Sequence, residues 1–276
     1  MTDRYAVIGN PVSHSKSPQI HTAFAQQTGQ TMEYSTLLVE IGQLAHAVRD
    51  FQQNQGKGLN ITVPFKQDAW ALATELSDRA KRAGAVNTLI LRAEDDIYGD
   101  TTDGIGLITD LTKNHQLTLK HKRLLILGAG GAVRGVLEPM LMESPAELVI
   151  ANRTVSKAEQ LARDFSDLGN LSASSFEALA GHQYDLIING TSASLAGELP
   201  PLPPELLVPD ACVYDMMYAA QMTPFVLWGK QQGATRYFDG LGMLVEQAAE
   251  SFYLWRGVRP DTRPVIKQLR EVLSQA

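Results

Sequence analysis

Cysteine is nearly absent: one, Cys212, stands among 276 residues. A single thiol cannot close an internal disulfide, which fits a reducing compartment. Its setting, Ala211-Cys212-Val213-Tyr214, reads as a buried strand rather than a nucleophile's turn. Long apolar runs are missing too, so no stretch is predicted to span a bilayer. The chain runs from Met1 into Tyr5-Ala6-Val7-Ile8 without a charged-then-apolar signal pattern, and a cytoplasmic location is expected. Positive charge is not in excess, since 24 basic against 30 acidic side chains leave a formal charge of -6. Lys120-His121-Lys122-Arg123 is the one basic run, so neither nucleic acid nor a membrane is expected as partner. Several chemical signatures are lacking as well. There is no Cys-x-x-Cys pair, no His-Glu-x-x-His, no P-loop and no Gly-x-Ser-x-Gly elbow, and the six histidines show no metal-ligand spacing. No metal is needed on this reading.

What is present is an alternation of strand and helix patterns. Strands are predicted at Tyr5–Ile8, 33–39 and 58–63, with helices from Pro18 to about Thr28, over 41–53, from Pro64 to Leu72 and from near Ser77. Residues 87–92 and 97–100 flank the turn Ala93-Glu94-Asp95-Asp96 as a hairpin. After a helix marked by Ile105, Ile108 and Leu111 the alternation restarts, with strands at 124–127, 147–151, 185–189, 211–215 and 235–238. Helices follow from Gly131, over 155–165 with Thr154 as N-cap, and from Thr223-Pro224. Two helices close the chain, 241–255 and about 262–275, with no strand after them. The expected class is α/β: a Rossmann-like dinucleotide module inserted after a mostly parallel α/β domain that the C-terminal helices complete. The boundaries predicted are 1–103 plus 241–276 for the outer domain and 104–240 for the inserted one.

In the middle of the chain, Leu124-Leu125-Ile126-Leu127 leads into Gly128-Ala129-Gly130-Gly131-Ala132-Val133-Arg134. Strand, glycine turn and helix N-terminus together make a pyrophosphate site, because unpaired N–H groups and the helix dipole point at the anion. The usual pattern has Gly or Ala where Val133 stands, so a packing turn remains an alternative on this motif alone. About twenty residues on, where a carboxylate would hold the ribose hydroxyls of NAD, the chain reads Ile150-Ala151-Asn152-Arg153-Thr154-Val155-Ser156-Lys157. Arg153 offers a planar fork and Lys157 a point charge, a pairing suited to the 2′-phosphate of NADP. Exposed helix-start cations are the alternative, though helix N-termini disfavour cations.

Two further stretches carry candidate chemistry. Asn60-Ile61-Thr62-Val63-Pro64-Phe65-Lys66 delivers Asn60, Thr62 and Lys66 at a strand's C-terminal end, where open α/β sheets bind ligands. Gly99-Asp100-Thr101-Thr102-Asp103-Gly104 supplies two carboxylates at the junction of the two halves. In isolation a lone lysine is a surface residue and a lone aspartate a turn former. His14 and His21 lie seven apart but carry no function on this reading.

Taken in order, these motifs closely resemble the shikimate dehydrogenase family. The resemblance runs from Tyr5 to beyond Gln268 and includes Gly9-Asn10-Pro11, Ser13-His14-Ser15-Lys16-Ser17-Pro18, Asn60-Ile61-Thr62-Val63-Pro64-Phe65-Lys66 and Gly84-Ala85-Val86-Asn87-Thr88. It continues through Thr102-Asp103-Gly104, the glycine turn, Asn152-Arg153-Thr154, Tyr214-Asp215-Met216-Met217-Tyr218 and Asp239-Gly240-Leu241-Gly242-Met243-Leu244. The resemblance implies a catalytic pair, Lys66 and Asp103. It implies substrate contacts from Ser15, Ser17 and Tyr218 to a carboxylate, and from Thr62, Lys66, Asn87, Asp103 and Gln247 to ring hydroxyls. Cofactor contacts fall on Gly128, Ala129, Gly130, Gly131 and Ala132, on Asn152, Arg153, Thr154 and Lys157, and on Met216 and Gly240 beside the nicotinamide.

The implied reaction is reversible reduction of 3-dehydroshikimate to shikimate with NADPH, on the route to chorismate and the aromatic amino acids. The implied assembly is a monomer or homodimer. Two rivals stand beside it: a quinate/shikimate dehydrogenase preferring NAD, and a non-catalytic NADPH-binding regulator. The sequence departs from the family pattern at Thr101, where Asn is usual, at Val133 and at Ser194, where Gly is common.

Overall fold

Tyr5-Ala6-Val7-Ile8 is apolar at every position, and a strand without a polar face has to be covered on both sides. These residues lie in β1 (Asp3–Gly9), which pairs in parallel with β2 (Met32–Leu38) on one side and β3 (Gly56–Ile61) on the other. The structure, a computed structural model, describes residues 2–93, 95–191, 193 and 197–275. Chain contacts divide it into two units, Met1–Gly106 with Val245–Ile266 and Leu107–Leu244 with Lys267–Ala276. The boundaries expected from sequence differ from this division at the C-terminal helices. Helix α9 (Leu241–Arg256) gives its first turn to the second unit, and α10 (Arg263–Ser274) its residues from Lys267 onward. One reason is local: Arg270 on α10 donates to the Asp239 carboxylate at 2.8 Å.

The first unit is built on a six-stranded sheet in the order β2-β1-β3-β5-β6-β4. Its remaining strands are β4 (Glu75–Leu76), β5 (Thr88–Ala93) and β6 (Asp96–Asp100). The β5–β6 hairpin is antiparallel and joins β3 antiparallel, so the sheet is parallel at β1–β3 and mixed beyond. Of the hairpin turn, Asp95 takes a left-handed φ of 59°, and Glu94 lies outside the described residues. Helices α1 (Ser17–Thr28), α2 (Leu44–Gln53), α3 (Lys66–Leu72) and α4 (Asp78–Ala83) connect the strands. α2 starts three residues later than its apolar spacing predicts, after a turn in which Gly42 adopts φ 84°. α4 begins as expected, with the Ser77 hydroxyl accepting from the Ala80 N–H.

The buried face of α1 carries His21, which is wholly buried and stacks on Tyr34 with ring centroids 4.2 Å apart. Burial pushes its pKa down to about 3, the Asn60 amide opposing this only in part. An unfolded chain takes up a proton on this imidazole below about 6.5, whereas the folded chain resists until about 3. Protons therefore favour the unfolded state in that window, and the His21 contribution to stability is lost as pH falls through it. Once well below 6.5 this loss approaches about 1.4 kcal/mol per pH unit. His21→Phe, which keeps the aromatic stack, is expected to remove that component of the pH dependence. Urea unfolding of both proteins at pH 7 and pH 5 checks it, and parallel losses on acidification would refute it.

The second unit has an all-parallel sheet in the order β12-β11-β10-β7-β8-β9. Its strands are β7 (Arg123–Leu127), β8 (Glu147–Ala151), β9 (Leu171–Ser174), β10 (Tyr184–Asn189), β11 (Leu207–Asp215) and β12 (Arg236–Asp239). Counted from β7 as the first, the order is 3-2-1-4-5-6, the doubly wound arrangement whose ligand crevice opens where the order reverses. That point is the C-terminal end of β7, beside β10. Helix α5 (Asp103–Thr109), whose residues from Leu107 onward belong to this unit, runs into a π turn over Asp110–Asn114. α6 (Gly131–Met142), α7 (Val155–Asp164) and α8 (Pro224–Gln231) then flank the sheet.

The sequence reading misses β4 and β9. Two residues show no periodicity, and the four residues of β9, Leu-Ser-Ala-Ser, are all half-buried. β11 begins four residues before the predicted Ala211 and includes Pro209. The pairing explains why proline is tolerated. Leu207 pairs with Tyr184, the register then shifts, and continuous pairing resumes only at Cys212 with Leu186. Pro209 thus falls in an irregularity where no ladder donor is required.

Candidate active site

In the first unit, Lys66 is the first residue of α3 and Asp103 the first of α5. An acid opening a helix is favoured by the dipole, whereas a cation there is not, so Lys66 gains from a nearby carboxylate. Its Nζ lies 2.5 Å from Asp103 Oδ2, with both side chains partly buried. The other oxygen, Asp103 Oδ1, accepts from Asn87 Nδ2 at 2.8 Å. Asn87 is buried at the entry to β5, and its two amide hydrogens are shared among Asp103 Oδ1, Thr102 Oγ1 at 2.9 Å and Gln247 Oε1 at 3.3 Å. Its carbonyl accepts from the Thr102 N–H at 2.9 Å and from Thr88 Oγ1 at 2.9 Å. The carboxylate orientation is therefore set by two donors on different oxygens, and the ammonium is aimed by the carboxylate. Of the residues the family resemblance assigns, four meet here: Lys66, Asn87, Asp103 and Gln247.

Support for Asn87 continues into the core. Asn60 Nδ2 donates to Ser251 Oγ at 3.0 Å, Ser251 lies 2.8 Å from Thr88 Oγ1, and Tyr34 donates its phenol proton to Asn60 Oδ1 at 2.7 Å. Asn60 is thus a buried structural donor rather than an exposed strand-end group. Ser15 and Ser17 sit at the start of α1, where Ser15 Oγ accepts from the Ser17 N–H at 3.2 Å and the Ser17 hydroxyl hydrogen-bonds Tyr34. Thr62 packs its methyl against Gly9, where a Cβ would lie 2.5 Å away. Thr101 donates its N–H to Asp100 Oδ1 at 2.7 Å. Asp100 is itself clasped by Arg79 through Nε at 2.6 Å and Nη2 at 2.8 Å. The strand end carrying Thr102 and Asp103 is held through these bonds.

In the second unit the glycine turn has the form a phosphate requires. Gly128 adopts φ 104°, and Gly130 is extended at the N-cap of α6 without a capping side chain. A Cβ on Gly130 or Gly131 would meet no protein atom within 4 Å. Packing therefore does not explain these two glycines, and the open space beside their backbone fits the close approach that a phosphate needs. Val133, the departure from the family pattern, is fully buried in the core between α6 and the sheet. Its Cγ2 fills the place of the missing side chain at Gly190, where a Cβ would lie 2.4 Å from it. The bulk at one position is offset by a glycine at its neighbour, and the cradle keeps its shape. Ser194 lies outside the described residues.

Asn152, Arg153, Thr154 and Lys157 gather at the end of β8 and the start of α7, and the last three are exposed. Thr154 occupies the N-cap position but makes no side-chain cap, contrary to expectation. Instead Asn152 Nδ2 donates to the Thr154 carbonyl at 2.9 Å, which ties the loop. Arg134, also near the cradle, pairs with Asp164 at 2.6 Å. Among the described residues neither Arg153 nor Lys157 has an acidic partner. The chemistry of this set, two cations and an amide with no carboxylate, fits a dianionic phosphate. Met216 and Gly240 adjoin each other: a Cβ on Gly240 would stand 2.2 Å from the Met216 carbonyl oxygen. Tyr218 follows two residues on in the same unit, and burial raises its phenol pKa.

Three family models match the chain in order: shikimate dehydrogenase substrate binding domain over residues 7–89, shikimate / quinate 5-dehydrogenase over 110–196, and shikimate 5'-dehydrogenase C-terminal domain over 240–270. A shikimate dehydrogenase (NADP(+)) of Cellvibrio japonicus is 57% identical over 275 residues, covering 100% of this chain and 99% of that protein. The chain belongs to the shikimate dehydrogenase family. A second relative of that name, from Alkalilimnicola ehrlichii, is 59% identical and covers 98% of this chain and 99% of its own. Among solved structures, shikimate 5-dehydrogenase of Thermus thermophilus in complex with NADP(H) and shikimate superposes with a TM-score of 0.88. It is 31% identical, over 99% of this chain and 100% of that one.

Within this shikimate dehydrogenase fold, sequence reasoning overlooks the residues behind the pair. Thr102 is part of a family motif but carries no assigned role, and it proves to bond Asn87 through both N–H and hydroxyl. Ser251 has no motif at all. The signal available for it is helical: it lies one turn beyond Gln247, on the same face of α9.

Proposed function

We propose that Lys66 is the proton donor and acceptor in an NADP-linked interconversion of 3-dehydroshikimate and shikimate. When bound, NADPH supplies the hydride to the ketone carbon. The ketone oxygen then needs one proton, and Lys66 is the donor that supplies it. In the oxidative direction the neutral amine takes the proton from the hydroxyl. Asp103 holds the ammonium by its Oδ2 and is itself held by Asn87, so both directions use one fixed geometry. Thr62, Asn87 and Gln247 complete the contacts to ring hydroxyls on this reading, and Ser15, Ser17 and Tyr218 those to the carboxylate. Gly128 to Ala132 would hold the pyrophosphate, and Asn152, Arg153, Thr154 and Lys157 the adenosine phosphate. With the reaction go a place on the route to chorismate, a cytoplasmic setting and a monomer or homodimer.

The observation that carries the reading is the Lys66–Asp103 contact at 2.5 Å with Asn87 on the second carboxylate oxygen. Steady-state kinetics with shikimate and quinate, each with NADP and NAD, test it directly. kcat/KM is expected to be highest for shikimate with NADP. A preference for quinate or for NAD would overturn the substrate or cofactor assignment respectively, and NADPH binding without turnover would point to a regulator.

A further inference from the structure

The loop after β11, Met216-Met217-Tyr218-Ala219, begins with Met216, which the family resemblance sets beside the nicotinamide of the cofactor. Among the described residues it is held at its root, where the Met216 N–H also donates to the Asn189 carbonyl at 2.9 Å, in its middle and at its far end. At its root the buried Asp215 carboxylate accepts the Met217 N–H at 3.0 Å, an amide hydrogen of Asn189 at 3.0 Å and the Thr223 hydroxyl at 2.6 Å. In its middle the Met217 carbonyl accepts from the Gly240 N–H at 3.0 Å, an approach that the absence of a Cβ on Gly240 permits. At its far end the Ala219 carbonyl accepts from Arg270 Nη1 at 3.3 Å.

Arg270 does more than hold that carbonyl. The same Nη1 donates to Asp239 Oδ2 at 2.8 Å, and Nη2 donates to Asp239 Oδ1, a bidentate fork. Asp239 precedes Gly240 and accepts the Leu241 N–H at 3.2 Å, which caps α9. One guanidinium on the last helix thus fixes the Ala219 end of the loop and, through Asp239, the Gly240 backbone that holds its middle. Asp239 is largely buried and Arg270 is not, so loss of Arg270 would leave a mostly buried carboxylate without its counter-charge. The loop would then lose the contact at its far end and the Asp239 support behind the one in its middle. The adenosine-phosphate residues at Arg153 and Lys157 lie at the end of β8, on the opposite side of β7 in the sheet order, and take no part in this network.

We infer that Arg270 is a positioning residue for the nicotinamide end of the cofactor site, acting through Asp239 and the 216–219 loop. The inference rests on the proposed NADP reading. A split between the two ends of the cofactor distinguishes this role from a general structural one. The ligand 2′,5′-ADP carries only the adenosine end, so its affinity reports the Arg153 side and the integrity of the unit. NADPH affinity reports both ends.

The test is titration of the full-length wild type, Arg270→Ala and Arg270→Lys with 2′,5′-ADP and with NADPH, alongside kcat and KM for NADP. For Arg270→Ala, NADPH affinity is expected to fall about tenfold and kcat/KM for NADP at least as far, with 2′,5′-ADP affinity within about twofold of wild type. Arg270→Lys is expected to recover part of the NADPH loss, since lysine keeps the charge but not the fork. Should Arg270→Ala fail to fold, Arg270→Lys carries the same comparison with a smaller split. Equal losses for both ligands, or no loss for either, would overturn the inference. A wild type that bound neither ligand would overturn the cofactor reading first and this inference with it.

Discussion

Lys66→Met is expected to lower kcat by about 10²- to 10⁴-fold, the range that a positioned general acid–base contributes. Methionine keeps most of the length of the side chain and removes its N–H donors and charge. The alkoxide formed on hydride arrival then has no side-chain donor at this position. Binding is expected to survive, because the cofactor residues are untouched and Asp103 keeps its bond from Asn87. The uncompensated Asp103 carboxylate will cost some stability, so a thermal melt accompanies the kinetics. Turnover with shikimate and NADP, with NADPH and shikimate affinities measured separately, is the check. A variant that turned over near the wild-type rate would remove Lys66 from the chemistry.

Arg153→Ala is expected to raise KM for NADP by about 10- to 100-fold while leaving KM for NAD nearly unchanged, since a charge-assisted fork to the 2′-phosphate serves only the phosphorylated cofactor. Arg153 is exposed and has no acidic partner among the described residues, so its removal disturbs no ion pair there. Lys157→Ala should act in the same direction with a smaller effect, as a point charge without a planar fork. The comparison of kcat/KM for the two cofactors decides the matter. Equal losses for NADP and NAD would mean that Arg153 touches a part of the cofactor common to both.

Much of the site was legible before the fold because its parts are local. A glycine turn after four aliphatics announces a strand, a tight reversal and a helix N-terminus, and the turn from β7 to α6 has that form. Arg153 and Lys157 in place of a carboxylate are likewise readable from position along one βαβ unit. Lys66 and Asp103 were each ambiguous, since neither residue alone differs from a surface lysine or a turn aspartate. The motif resemblance singles them out, and two residues 37 positions apart in sequence meet in a 2.5 Å contact.

Other features could not be read in this way. Val133 departs from the usual Gly or Ala of the motif, and what accommodates it is Gly190, 57 positions away in a different strand's loop. The Asn60–Ser251–Thr88 bonds and the Arg270–Asp239 fork join segments that share no periodicity. Thr154 had the right residue type for a cap, yet the Asn152 amide took over the ordering of that loop.

The sequence by itself determined the quantities that depend on neighbours along the chain. These are the alternation of strand and helix, the glycine turn, and the choice of cations over a carboxylate at the end of β8. Tertiary structure alone decided which donors aim the Asp103 carboxylate, how Val133 is accommodated, and how α10 reaches the loop beyond β11. The physical reason is range. Propensity and periodicity act over one turn or one strand, whereas hydrogen-bond partners and packing volumes are set by residues that meet only after the sheet order is complete.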